Sequence, residues 1–444
     1  MNGGLSMAEM KCGYKMTEVG VIPEDWEVKE LGDITKDMSD GPFGSNLKSC
    51  HYTNKKEVRI IQLSNIGTDG WSDNNRRYTT YKHLDTIRRC EVKSGNLVIA
   101  KMMPAGRAII CPSTDAAYVL SSDAVRVNLL ECVNNDYAFY CTKSGYYLSQ
   151  IAENTQGSTR ARTSIKKLRN ILFCMPDVKE QVAIATALSD VDSLISALTK
   201  KIEKKKAIKQ GLMQQLLTGK KRLPGYEKNR EPVQTEWGAI PKDWKTLSIG
   251  KCCSIKARIG WQGLKKSEYL SSGEYVLVTG TDFLNGRIDW KSCVYVSKKR
   301  YEQDANIQIV KHDILITKDG TIGKVAFLDD VPCLGTLNSG IFVVRSHSEE
   351  LDQCYLSKIF ESFIFDAFLE SLVAGSTINH LYQKDFVHFN FPVPPTMSEQ
   401  TAIANILSDC DSEIAALEEK RDKYKEIKQG MMQQLLTGKI RLIK

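Results

Sequence analysis

Sequence features of secreted, membrane-spanning and zinc-binding proteins are missing from this chain of 444 residues. The N-terminus lacks the apolar run of a secretory signal, and we expect no stretch of the roughly 18–20 apolar residues that span a membrane. The 13 cysteines are scattered and never form a CxxC pair, and the 6 histidines are dispersed. We therefore expect reduced thiols in the cytoplasm, no metal site and no membrane association.

Catalytic signatures are equally scarce. An aminomethyltransferase would carry a glycine-rich cofactor loop and an (N/D)PP(Y/F) motif, whereas Pro394-Pro395 stands in VPPT. A Walker A loop needs four residues between its first glycine and Gly-Lys, and the sequence from Gly320 to Gly323 leaves too few. We therefore predict a non-catalytic chain that binds no cofactor of its own.

Length and charge bound what the chain does contain. A chain of this length exceeds one ordinary hydrophobic core, so two or three domains are expected. Lys and Arg total 61 against 53 Asp and Glu, which gives a net charge of +8 at pH 7. This excess permits a polyanionic partner without requiring one.

An internal repeat dominates the sequence. Residues 180–223 align without gaps to residues 399–442, and 30 of 44 positions are identical. Shorter echoes precede each copy: TEVGVIPEDW at 17–26 matches TEWGAIPKDW at 235–244, and a Gly-Ser-Thr triplet occurs at 157–159 and 375–377. The chain therefore reads as a leader followed by two rounds of a divergent globule and a nearly constant segment.

Both constant segments predict long helices. Asp177 and Thr396 stand three residues before Glu180 and Glu399 and suggest capping boxes. A helix over residues 180–218 would be about 58 Å long at 1.5 Å per residue. The apolar residues alternate steps of three and four, as in a coiled-coil seam: Ile184, Leu188, Val191, Ile195, Leu198 and Ile202, then Ile403, Leu407, Cys410, Ile414 and Leu417.

A seam of that length cannot be buried on one globule, so we expect the two helices to pack on each other. The lysines of the first copy, from Lys200 to Lys209, face a second copy that is richer in acid (Glu418, Glu419, Asp422 and Glu426), which favours mutual pairing. Antiparallel pairing would give a pseudo-two-fold arrangement with one globule at each end. The alternative is an ordinary dimerisation coiled coil.

The globules combine short β-rich runs with glycine-rich turns and a helical stretch, so the fold class is α+β, with two mixed α/β domains. Trp26 and Trp244 in the repeated PxDW are expected in the core. Loop side chains suited to phosphates or base edges are candidate DNA contacts: Arg76, Arg77, Ser158, Thr159, Arg160, Arg162, Lys166 and Lys167 in the first globule, and Arg258, Trp261, Gln262, Lys265, Lys266, Asn338, Ser376, Thr377, Asn379 and His380 in the second. A solvated face or a plain turn is the competing explanation for any one of them.

The repeated KQGLMQQLLTGKKRL and KQGMMQQLLTGKIRL, with the IPEDW and IPKDW openings, resemble the specificity subunit of type I restriction–modification systems. DILITKDGTIGK at 313–324 resembles the family's second arm, whereas the first globule has the different NLVIAKMMPAGR at 96–107. The resemblance implies a leader (1–16), a target recognition domain (17–178), a central spacer helix (179–222), a linker (223–234), a second target recognition domain (235–397) and a C-terminal spacer helix (398–444).

The same resemblance implies that each domain reads one half of a split double-stranded DNA sequence and that antiparallel coiled-coil helices hold the domains apart. Two methyltransferase subunits, which bind S-adenosylmethionine and methylate adenine, would dock on the helices. Two restriction subunits, using ATP and Mg²⁺, are optional partners. Two alternatives remain: a self-sufficient restriction or modification enzyme with an unrecognised site, and a coiled-coil scaffold without a nucleic-acid role.

Overall fold

The computed structural model describes residues 12–155, 162–227, 231–373 and 380–443, and the chain divides into two compact units. The first unit joins the described residues up to Thr199 to those from Glu419 onward, and the second unit is Lys200–Glu418. Each unit therefore contains one globule and a part of each repeated segment.

The described part of the first unit contains thirteen strands and four short helices before its long helix. The strands are β1 (Tyr14–Thr17), β2 (Gly20–Pro23), β3 (Glu27–Glu30), β4 (Thr35–Asp40), β5 (Tyr52–Thr53), β6 (Val58–Ile61), β7 (Tyr78–Thr79), β8 (Glu91–Val92), β9 (Leu97–Ala100), β10 (Ala108–Ile110), β11 (Tyr118–Leu120), β12 (Ala124–Leu129) and β13 (Leu172–Met175). The helices are α1 (Tyr81–Thr86), α2 (Asn135–Cys141), α3 (Gly145–Thr155), α4 (Ile165–Arg169) and the long α5 (Val178–Leu216), whose residues from Lys200 belong to the second unit.

The second unit repeats this plan. Its strands are β14 (Pro232–Thr235), β15 (Gly238–Pro241), β16 (Lys245–Ser248), β17 (Cys253–Lys256), β18 (Tyr275–Val278), β19 (Phe283–Leu284), β20 (Arg287–Ile288), β21 (Val294–Val296), β22 (Ile314–Thr317), β23 (Val325–Phe327), β24 (Leu334–Leu337), β25 (Ile341–Ser346) and β26 (Asn390–Val393). Its helices are α6 (Ile249–Cys252), α7 (Lys298–Glu302), α8 (Gln353–Phe360), α9 (Phe363–Val373), α10 (Gln383–Phe386) and the long α11 (Met397–Leu435).

A four-stranded antiparallel sheet lies at the centre of each globule. Its order is β10-β9-β12-β4 in the first and β17-β25-β22-β23 in the second. A second sheet accompanies each, with order β5-β7-β6-β11-β8 in the first globule and β21-β18-β24 in the second, and each contains one parallel pair. The architecture is mixed α/β, as the sequence predicts.

Both faces of these central sheets are buried, because alternate side chains enter different cores. In β9, Leu97 and Ile99 join the core that contains the helices, whereas Val98 and Ala100 join the core beneath the second sheet. In β22, Ile314 and Leu315 divide in the same way. This explains why these strands read as continuous apolar runs, LVIA and ILIT.

The two long helices each span 39 residues. Asp177 and Thr396 accept hydrogen bonds from the backbone N–H of Glu180 (2.8 Å) and Glu399 (3.3 Å), which confirms one half of each predicted capping box. The other half is wrong, because the two glutamates bind arginines instead (see below). The predicted seam residues are buried or partly buried.

Within each unit, early residues of one long helix contact late residues of the other. In the first unit, Lys428 binds Asp192, and Leu435 packs in the core that holds Ile184. In the second unit, Lys205 binds Glu413 at 2.7 Å and Arg222 binds Glu399 at 2.6 Å. The contacting stretches therefore run in opposite directions inside each unit.

The first long helix also contains an 18-residue window apolar enough to cross a membrane by length and composition. This differs from the sequence expectation of no such stretch. A single such helix is weak evidence for a membrane span, since the core helix of a soluble protein passes the same test. Its buried Glu180, paired with Arg441, fits the inside of a folded domain.

Candidate nucleic-acid interface

Three connections of the first globule meet at one end of its central sheet, where β4 and β9 end and β12 begins. The backbone N–H of Gly41 donates to Ala124 O at 3.0 Å, and that of Lys101 donates to Asp123 O at 2.8 Å. The buried Lys101 ammonium binds the Asp40 carboxylate at 2.8 Å. The loop 41–48, the turn 101–107 and the connection 121–123 are thereby fixed side by side.

The second globule builds the same sheet end from β17, β22 and β25. The backbone N–H of Lys318 donates to Gly340 O at 2.8 Å, as Lys101 does to Asp123 in the first globule. The loop 257–265, the turn 318–324 and the connection 338–340 leave this end. The two globules therefore present equivalent loop sets despite their divergent sequences.

The two central turns are closed by equivalent backbone hydrogen bonds. Ala100 N–H donates to Arg107 O at 2.7 Å, and Thr317 N–H donates to Lys324 O at 2.9 Å. Both turns place their third residue in the left-handed region: Met103 has φ 60° and Gly320 has φ 69°. The sequences MMPAGR and DGTIGK differ, but they stand on the same turn, so residues can be compared across it.

A further segment lies against each turn. Arg162 forms an isolated β-bridge with Met102, and His380 forms one with Asp319. The His380 ring also bonds to the Asp319 carboxylate, and Arg162 reaches Asp123 at 3.4 Å. These two predicted DNA contacts therefore lie at the sheet ends. The predicted Ser158, Thr159, Arg160, Ser376, Thr377 and Asn379 fall outside the described residues.

The other predicted cations are distributed more widely. Lys166 and Lys167 lie on α4, which follows the segment of Arg162. Lys265 and Lys266 are exposed at the end of the loop 257–265. Arg76 pairs with Asp73 on a loop next to the second sheet of the first globule, and the exposed Arg77 follows it; the structure does not bring this pair to the sheet end.

Three predicted contacts lie in the interior or are held by neighbours. Arg258 is 3% exposed, and its guanidinium donates to Leu337 O at 2.8 Å and to Thr336 Oγ1 at 3.0 Å. Burial, followed by the nearby Arg300, lowers the pKa of Arg258. Gln262 is buried, and Asn338 donates to the Tyr269 hydroxyl at 3.1 Å. In this conformation the Arg258 side chain holds the start of the loop 257–265 to the end of β24. Trp261 lies in a helical turn at 260–262.

Sequence reasoning missed two exposed apolar side chains at the first sheet end, Phe43 and Met103. A signal for Phe43 was present: the glycine bracket GPFG at 41–44 recurs as GWQG at 260–263, and each bracket encloses an aromatic residue. Met103 offered no comparable signal, because the segment 96–107 differs from its counterpart 313–324, which has Gly320 at the equivalent position.

In each unit, an arginine from the end of a repeated segment binds a buried glutamate and an aspartate. In the first unit, Arg441 binds the fully buried Glu180 at 2.6 Å and Asp25 at 2.8 Å. In the second, Arg222 binds the buried Glu399 at 2.6 Å and Asp243 at 2.7 Å. These bonds raise the pKa of both arginines. The repeated Glu, Arg and PxDW residues therefore meet in space.

The tryptophans of PxDW, Trp26 and Trp244, are buried in the core, as the sequence predicts. Trp26 Nε1 donates to Glu180 at 3.1 Å. Gly219 and Gly438 adopt the same φ of 66° against Pro241 and Pro23. A Cβ added to Gly219 would lie 2.6 Å from Pro241, which explains why a glycine follows each long helix.

A second polar contact between the globule and the long helices differs between the units. In the first, Tyr140 donates to Asp192 at 2.8 Å, and Asp192 binds Lys428. Burial, with Lys428 nearby, lowers the pKa of Lys143 to about 8. In the second unit, Glu361 binds Lys209 at 3.0 Å and so balances its charge. The first unit therefore carries an excess of buried positive charge at this point.

The described ranges contain no group of three or more His, Cys, Asp or Glu residues that could hold a metal ion. Two clefts are present in the second globule. One, of about 1010 Å³, lies between the β19–β20 hairpin and the adjacent stretches of the long helices, and the other, of about 920 Å³, adjoins α7.

Two ranges, residues 23–210 and 241–429, match the family model described as Type I restriction modification DNA specificity domain. The chain is 26% identical over 441 residues to a putative type I restriction enzyme MjaX specificity subunit of Methanocaldococcus jannaschii, covering 97% of both chains. It is 27% identical over 441 residues to the MjaVIII specificity subunit of the same organism, covering 95% of this chain and 94% of the relative.

Solved structures show the same fold. The S subunit of a type I restriction–modification system from M. genitalium superposes with a TM-score of 0.59 at 14% identity, covering 92% of this chain and 96% of that one. A chain from a structure on the assembly and conformational transition of the type I R-M system gives a TM-score of 0.51 at 16% identity, covering 94% and 99%.

Proposed function

The chain belongs to the type I restriction–modification DNA specificity family, and on this basis we propose that it is the sequence-reading subunit of such a complex. Each globule reads one half of a bipartite double-stranded DNA target. The observation that carries the proposal is the sheet end built twice, with one backbone plan and different side chains. Such a design lets two similar domains recognise unlike half-sites.

The candidate contacts at each sheet end and on α4 suit DNA. Arg162, Lys166 and Lys167 in the first globule, and Lys265, Lys266 and His380 in the second, offer cations for phosphates and donors for base edges. Trp261, Gln262, Asn338 and the Gly-Ser-Thr positions outside the described residues remain candidates as the sequence proposes them. Arg258 is assigned the supporting role described above.

We further propose that the two long helices form an antiparallel coiled-coil spacer with pseudo-two-fold symmetry. The reversed pairing inside each unit supports this, because Asp192 with Lys428 and Asp411 with Lys209 are the same contact made twice. A helix of 39 residues is about 58 Å long at 1.5 Å per residue, or about 17 base pairs at 3.4 Å each. That length is an upper bound on the separation of the two contacts.

The complex would work in the cytoplasm, and this chain would contribute recognition without catalysis. Two methyltransferase subunits would dock on the repeated helices and bring S-adenosylmethionine. Restriction subunits that use ATP and Mg²⁺ would be optional additions. The near-identity of the two helices supports two equivalent docking events, since a partner that fits one copy fits the other.

Protection footprinting tests the proposal. The full chain with its methyltransferase subunit should protect two separated DNA segments, whereas one continuous footprint would contradict bipartite reading. A second test exchanges residues 17–178 for a different globule of the family. Only one half of the methylated target should change, as read by methylome sequencing; a change in both halves would refute modular reading.

A further inference from the structure

The most exposed large apolar side chains of the described residues are Phe43 and Met103, which are 75% and 73% exposed. Burying a side chain of this size is worth about 1.5–3 kcal/mol. Two such side chains left in water on neighbouring connections of one sheet end point to a molecule that covers them.

The two side chains belong to one end of the first central sheet. Phe43 stands in the loop that follows β4, and Met103 stands in the turn that follows β9. The ion pair between Asp40 and Lys101 joins the bases of these two connections at 2.8 Å. The exposed pair is therefore mounted on a fixed base.

The backbone at Met103 adds a second argument. Its φ of 60° is unfavourable for a residue with a side chain, whereas Gly320 adopts the equivalent φ of 69° in the second globule without that cost. Such a conformation is typical of sites where the side chain is used. A glycine would fit this position more easily, so the methionine side chain is retained against its conformational cost.

The surroundings are cationic. The Arg89 guanidinium lies 6.0 Å from the centre of the Phe43 ring, and Arg107 donates to the carbonyl oxygen of Met103. Arg162 lies against the same turn through its β-bridge to Met102. The nearby acids are already paired, Asp40 with Lys101 and Asp123 with Arg162.

Apolar side chains framed by arginines fit a DNA duplex better than an apolar protein partner. Proteins that kink DNA insert Phe, Leu, Ile, Met or Pro between adjacent base pairs while cations hold the flanking phosphates. We propose that Phe43 and Met103 form a wedge that enters a base-pair step of the half-site read by the first globule. This inference deepens the proposed function and rests on it.

The wedge is specific to the first globule. Gly320 occupies the position of Met103 in the second globule, so that position of the turn offers no side chain for insertion. The two half-sites would then be read differently, the first partly through its ability to unstack and the second through direct contacts.

The test uses the full chain assembled with its methyltransferase subunit on a duplex that carries the methylome-derived target. 2-Aminopurine is placed at successive purines of the half-site assigned to the first globule. We expect fluorescence to rise at one step other than the methylated adenine. Phe43→Ala and Met103→Ala should each abolish that rise and weaken binding about tenfold, whereas Phe43→Trp and Met103→Leu should preserve both.

Met16→Ala is the matched control, because Met16 is a 53% exposed apolar residue on the β1–β2 hairpin of the same unit. It should leave the signal unchanged. Unaltered fluorescence and affinity in both alanine variants would overturn the wedge while sequence-specific binding persisted. Loss of specific binding by the unsubstituted complex would instead overturn the proposed function. If Met103→Leu preserved neither the fluorescence rise nor the affinity, this would contradict an apolar role for Met103.

Discussion

The arginine that closes each unit allows a matched pair of substitutions, Arg441→Ala and Arg222→Ala. Each arginine binds both oxygens of a glutamate that is 1% exposed or less. Removing one partner of a buried ion pair leaves an uncompensated charge and costs about 3–5 kcal/mol. The two units should not respond equally, however.

The second unit should lose more stability than the first. The Arg222 side chain is 7% exposed and that of Arg441 is 31% exposed, so water screens the Arg441 pair more strongly. Trp26 Nε1 also continues to donate to Glu180, whereas Trp244 Nε1 is buried with no hydrogen-bond partner among the described residues. We therefore expect a loss of about 4 kcal/mol for Arg222→Ala and about 2 kcal/mol for Arg441→Ala.

Urea unfolding followed by peptide-resolved hydrogen exchange measures this difference, because each peptide reports on one unit. Arg88→Ala is the control: Arg88 is 69% exposed and pairs with the exposed Asp85, so a change within about 0.5 kcal/mol is expected. Equal losses in the two units, or faster exchange in the unit that retains its arginine, would refute the reasoning.

Three further predictions concern single positions. Gly219→Ala should destabilise the second unit by about 2 kcal/mol or more, because its Cβ would strike Pro241 at φ 66°; Gly211→Ala, in open space within α5, should stabilise by about 0.5–1 kcal/mol. Lys143→Met should stabilise the first unit by about 2 kcal/mol at pH 7. The pKa of Lys143 is about 8 in the folded chain, below its ordinary value of 10.5, so the stability of the unsubstituted chain should rise between about pH 8 and 10.5. The variant should lose that rise. Arg258→Ala should lower the unfolding free energy of the second unit by about 2 kcal/mol, measured in urea, because the carbonyl and hydroxyl it binds become unpaired.

These predictions can fail independently. Destabilisation by Gly211→Ala equal to that by Gly219→Ala would contradict the close approach to Pro241. A stability profile of the Lys143→Met variant that still rises above pH 8 would assign the effect to another group. Weakened DNA binding by Arg258→Ala without any loss of stability would restore Arg258 as a direct contact.

The long helices could be predicted from the sequence because their signals are local. The seam from Ile184 to Ile202 and the capping Asp177 depend on spacing alone. In the second globule, however, the helical stretch is divided, since the Ser362 hydroxyl accepts from Ile364 N–H at 3.2 Å and donates to Ile359 O at 2.7 Å, which ends α8 before α9 begins. Such side-chain competition with the helix is not visible in the apolar pattern.

The candidate site was less predictable because it depends on contacts between distant residues. Arg258 sits beside glycines and lysines in sequence, yet its neighbours in space are Thr336 and Leu337. The partnership of Glu180 with Arg441 joins residues 261 positions apart, so the capping box seemed the simpler role for Glu180.

The division of the chain also bears on the order of folding during synthesis. The second unit is Lys200–Glu418, whereas the first needs the segment from Glu419 onward to supply Lys428, Leu435 and Arg441. N-terminal domains ordinarily fold first as a chain leaves the ribosome. Here the first globule lacks the ion pair between Glu180 and Arg441 until Arg441 has been synthesised. We therefore expect the second globule to complete its folding before the first.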